Sequence, residues 1–119
     1  MPSGRPSPVP PGQPAFAGAV VVSLVVLFVP AGEVPGALPG VDTIVHIALF
    51  ASLAATGRWA GLRAAVLGAA LVAYGGISEL LQGLAVIGRT TSVADWGADV
   101  VGVLLGLAVW ARVAGRPQP

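Results

Sequence analysis

Four apolar stretches, separated by short polar or proline- and glycine-rich breaks, organise the chain. They run over residues 15–29, 43–56, 62–87 and 92–113. The third is the longest, and at about 1.5 Å of rise per residue a helix there is long enough to cross a bilayer. The first ends at Pro30 and is short for a span. Residues 30–40, PAGEVPGALPG, hold three prolines and three glycines, so the pattern predicts a loop or re-entrant segment. Gly57-Arg58 closes the second run, and Gly88 is expected to close the third. Residues 1–14 are proline-rich and predict a disordered tail; residues 115–119 form a short polar one. A cleaved signal peptide is the alternative for the first run. The residues after that run stay apolar, which favours a retained helix.

The predicted architecture is all-α: a polytopic membrane protein with one domain, residues 15–114, built as a bundle of four transmembrane helices. Composition agrees. Charged residues make up 9% of 119 and hydrophobic ones 55%, with a mean hydropathy of +0.88. A soluble domain carries roughly a quarter charged residues. The net charge of +1 argues against nucleic acid as a partner. No cysteine is present, so disulfides and thiolate chemistry are excluded.

All basic residues are arginines. Arg5, Arg58, Arg63, Arg112 and Arg116 fall at alternate ends of the runs, and Glu33, Asp42 and Arg89 fall at the others. The positive-inside rule then puts both termini in the cytoplasm. In that topology the second, third and fourth runs bring their polar residues to the outer half of the membrane.

Those residues are the candidate site. Asp42 and His46 are four apart, and Glu79 and Gln82 three apart, so each pair shares a helix face. Glu79 is expected well inside its helix, where a carboxyl must be protonated or partnered. His46 is the one histidine and titrates near neutral pH. Glu79 and His46 are therefore the candidate proton-handling, catalytic pair. Arg89 has the planar fork that clamps a phosphate or carboxylate. Asp42, Gln82, Asp95 and Asp99 are candidate ligand-binding residues. Asp42 also suits a helix N-cap, and Ser92 with Asp95 matches a capping box. Ala98, Gly102 and Gly106 form a small-residue ridge on the fourth helix, and Asp99 borders it. Trp59, Trp96 and Trp110 suit the membrane interfaces. The residues show no fixed metal-ligand spacing, phosphate-cradling loop or serine-nucleophile elbow, so no metal and no cofactor are expected; the alternative is a hard cation held by the one histidine with several carboxylates, zinc usually taking more nitrogen or sulfur ligands.

The ordered set Asp42-x-x-x-His46, Glu79-x-x-Gln82, Arg89-x-x-Ser92-x-x-Asp95-x-x-x-Asp99-x-x-Gly102-x-x-x-Gly106 resembles the VanZ-like family of small bacterial membrane proteins. The likeness covers residues 40–110. It departs at Thr43, where the family often has lysine, at Ile47, often phenylalanine, and at Asp99, usually asparagine. The resemblance implies a role in the cell envelope and a link to resistance against glycopeptides of the teicoplanin type, without fixing a reaction. The expected ligand is an anionic headgroup or a lipid-linked wall precursor. Two alternatives stand beside it: a non-enzymatic binding or assembly module whose polar residues only lock helix packing, and a proton-coupled transport subunit.

Overall fold

The structure, a computed structural model, describes residues 10–28, 41–84 and 93–115. Arg89, Ser92, the Asp42 side chain, the 30–40 segment and most of both tails lie outside the described residues. Four helices and no strand are present among the described residues: α1 (Gly12–Phe28), α2 (Val41–Trp59), α3 (Ala64–Gln82) and α4 (Val93–Ala114).

Each apolar run forms a helix, with shifted ends. Helix α1 starts three residues ahead of its run, at Gly12. Pro14 is tolerated there because first-turn N–H groups have no partner within the helix. Helix α3 stops at Gln82, five residues short of the expected end. Gly83 is its C-cap, and the Gly83 N–H reaches back to the Glu79 carbonyl. Glu79 therefore sits in the last turn of its helix and not deep within it.

Helices α2 and α3 form a tight hairpin. The Leu62 N–H donates to the Gly57 carbonyl and the Gly61 N–H to the Arg58 carbonyl, both at 3.0 Å. This reciprocal pair needs a left-handed residue just past the helix, and Gly61 supplies it with φ +96°. A second lock comes from the Arg58 guanidinium, which donates to the Leu62 carbonyl at 2.7 Å.

The most extensive packing is α2 against α4. The small-residue ridge of α4 is the reason. A Cβ placed on Gly102 would stand 2.5 Å from the Ile47 carbonyl oxygen, and one on Gly106 would collide with the Ala51 carbonyl. The two backbones thus touch where side chains are missing. Around this seam Leu27, Phe50, Leu53, Ala54, Leu67, Leu71 and Val103 form the apolar core. Phe50 and Tyr74 meet as tilted rings 5.7 Å apart. The Ser23 hydroxyl donates to the Val20 carbonyl, so its oxygen accepts from the Tyr74 hydroxyl at 2.8 Å and ties α1 to α3.

Helices α3 and α4 are long and apolar enough to cross a membrane, and only 28% of each spanning window is buried in the bundle. Their outward faces present Val66, Ile77, Leu80, Leu104 and Val109. At 17 residues, α1 is shorter. Helix α2 carries His46, Ser52, Thr56 and Arg58 and falls below the same apolarity. Two of the four expected spans thus meet the length and composition test.

Candidate functional site

Because α2 and α4 begin at the end of the bundle where α3 finishes, polar residues far apart in sequence meet there. His46 lies in the second turn of α2, Asp99 in the second turn of α4, and Glu79 in the last turn of α3. His46 Nδ1 and Asp99 Oδ1 form a hydrogen bond of 2.6 Å. One donor atom each from His46, Glu79 and Asp99 lies within 4.8 Å of the other two. All three are buried, with exposures of 2%, 4% and 0%.

Helix α3 has no side chain at Gly75 or Gly76, and α4 fills that space. A Cβ on Gly75 would stand 2.9 Å from Asp99 Oδ2 and 3.3 Å from the Trp96 ring. The Trp96 indole N–H donates to the Val72 carbonyl at 3.0 Å. This carbonyl already serves the α3 ladder, so the Trp96 bond registers α4 on α3. Beneath the cluster the buried Ser78 hydroxyl donates to the Gly75 carbonyl at 2.8 Å.

The remaining candidates have different positions. Gln82 is buried, and its amide donates to the Leu27 carbonyl at 2.7 Å. That carbonyl belongs to the last turn of α1, where no intrahelical donor remains. Gln82 therefore fastens α1 to α3 with the group expected to orient Glu79. Asp95 is half-buried in the first turn of α4, where a negative charge suits the helix dipole. It stands one turn from Asp99, outside the three-residue cluster. The described arginines Arg58, Arg63 and Arg112 all lie at the opposite end of the helices.

Two carboxylates within 4.8 Å set the electrostatics. At an effective dielectric of about 20 their repulsion exceeds about 3 kcal/mol. An imidazolium, a shared proton or a bound cation at this point relieves that repulsion. Helix α3 also borders an open apolar groove of about 790 Å³, shared with α4 and lined by Gly68, Val72, Gly76, Ile77, Val93 and Trp96 among others. Glu79 lines it too. One carboxyl thus belongs both to the polar cluster and to the wall of the groove.

Gly75, Gly76 and Ser78 escaped the sequence reading. The Gly75-Gly76 pair inside an apolar helix was the available signal, since glycine there weakens a helix unless something approaches closely. Comparison of the chain with protein-family models, curated proteins and solved structures finds no match.

Proposed function

We propose that the chain is a four-span, VanZ-like membrane protein with both termini cytoplasmic, and that its polar end opens outward to bind or act on the headgroup of an envelope lipid or lipid-linked wall precursor. One observation carries this reading: a buried acid–imidazole–acid cluster that borders an apolar groove through Glu79. The groove falls within the roughly 300–1,000 Å³ typical of small-molecule sites. It suits a single alkyl or prenyl chain, and the cluster suits the polar group at that chain's end. The separation of Arg58, Arg63 and Arg112 from the cluster supports the orientation.

In this reading Asp99 fixes the ring of His46 through their hydrogen bond, and His46 and Glu79 exchange a proton with the bound headgroup. Arg89 would hold an anion, with Asp42 and Asp95 around the mouth. Gln82 would keep α1 against the site. The family resemblance extends the proposal to glycopeptide resistance.

The test compares cells carrying the wild type, Glu79→Gln and His46→Ala. Both variants are expected to remain in the membrane, Glu79→Gln with wild-type melting and His46→Ala with lowered melting from the lost Asp99 bond, while the lipid and wall-precursor profile measured by mass spectrometry reverts to that of cells without the protein. Identical profiles with and without the wild type would remove the proposal. The second reading, polar residues that only lock packing, is favoured by the Gln82–Leu27 and Ser23–Tyr74 bonds. It predicts instead that both variants disappear from the membrane.

A further inference from the structure

We propose that His46, Glu79 and Asp99 together hold one divalent first-row transition-metal ion. This goes beyond the headgroup reading and does not depend on it. Neighbouring positions along the chain supply no such ligand set; the three residues come from three helices, and only their packing assembles one nitrogen and two oxygen donors.

Geometry favours one ion. Metal–nitrogen and metal–oxygen bonds of about 2.0–2.2 Å place neighbouring ligands about 3 Å apart and opposed ligands about 4.2 Å apart. The donors here span 2.6 Å, between His46 Nδ1 and Asp99 Oδ1, to at most 4.8 Å. The widest donor pair exceeds the opposed-ligand distance by at most about 0.6 Å, so shifts of about half an ångström bring all three to bonding distance. In that arrangement the ion takes the place of the proton between Nδ1 and Oδ1.

Charge favours a dication. Two carboxylates, a neutral imidazole and a divalent ion sum to zero, so a dication is held without net charge inside an apolar bundle. The same ion explains how an anionic ligand could approach this end. Glu79, Asp95 and Asp99 are the acids of α3 and α4, and the ion offsets their negative charge toward an anion. Donor type selects the metal. Imidazole with two carboxylates suits manganese, iron or zinc, while calcium and magnesium take all-oxygen sets.

The experiment uses the full chain in detergent micelles, stripped with a chelator, loaded with Zn²⁺ or Mn²⁺ and desalted. Elemental analysis should find about one ion per chain, undiminished by excess Mg²⁺. Glu79→Gln and Asp99→Asn should each weaken binding at least about tenfold while circular dichroism keeps the helical signal. Pulsed electron paramagnetic resonance of the Mn²⁺ form should show coupling to an imidazole nitrogen. The proposal is overturned if the wild type retains no ion, if both variants bind as well as the wild type, or if no nitrogen coupling is seen. Should a variant not fold, wild-type stoichiometry and nitrogen coupling decide. Lipid profiles play no part in this measurement, so the metal and headgroup readings can fail separately.

Discussion

Replacing Gly102 by alanine tests the link between helix packing and the site. Its new Cβ would lie 2.5 Å from the Ile47 carbonyl oxygen, 3.0 Å from Phe50 Cβ and 3.1 Å from the Ala51 nitrogen. Two of these three are α2 backbone atoms, which cannot swing aside. An ordinary carbon–oxygen approach is about 3.3 Å, so α2 must retreat by about 0.8 Å. His46 precedes Ile47 and moves with it. The 2.6 Å bond to Asp99 then stretches, to about 3.4 Å where the shift lies along it. Overpacking of this kind costs about 1–3 kcal/mol. Alanine also gains up to about 1 kcal/mol of helix propensity over glycine, which would mask part of the loss. Gly68→Ala is the matched control, because its Cβ would meet Leu107 at an ordinary 3.6 Å. Propensity cancels between the two variants, and the difference in unfolding free energy, read by denaturant titration in micelles, should be about 1–3 kcal/mol. Metal affinity should fall in Gly102→Ala and hold in Gly68→Ala. Equal stabilities within about 0.5 kcal/mol would refute the account of the α2–α4 seam.

Three further outcomes are expected. Gly75→Ala pushes on the movable end of the Asp99 side chain, at 2.9 Å, so it should leave helix content intact yet lower metal affinity; unchanged affinity would show that the carboxylate position is unimportant. Gln82→Leu keeps the volume but strips the Leu27 carbonyl of its donor, at a cost of about 1–3 kcal/mol by the same titration, and a loss below about 0.5 kcal/mol would mean that α1 is held by other contacts. The chain has no cysteine, so Thr91→Cys should react with a membrane-impermeant maleimide on intact cells, and Ser3→Cys or Gln118→Cys only after permeabilisation. Labelling of Ser3→Cys and Gln118→Cys on intact cells, with Thr91→Cys reacting only after permeabilisation, would reverse the proposed topology.

Much of the site could be read from residue order, because an antiparallel bundle leaves few places for charged residues. Spacing along the chain put Asp42 with His46, Glu79 with Gln82 and Asp95 with Asp99 on shared faces, and the alternation of arginines assigned those faces to one end. It also showed that Ala98, Gly102 and Gly106 would be a contact ridge. Spacing could not say which helix the ridge meets. That depended on backbone shape across two helices, and the answer was α2, at Ile47 and Ala51.

The apolar pattern determined the four helices seen among the described residues, since burial of apolar side chains follows the helical period locally, and the order of charged residues determined the end at which the acids collect. Tertiary structure decided the rest. It ended α3 at Gln82, turned the Gln82 amide to α1 and set Trp96 and Asp99 against Gly75 and Gly76. Only it brought His46, Glu79 and Asp99 together while leaving Asp95 a turn away. A hydrogen bond or a ligand set between helices depends on ångström-scale offsets and rotations, and those arise from packing the whole bundle at once.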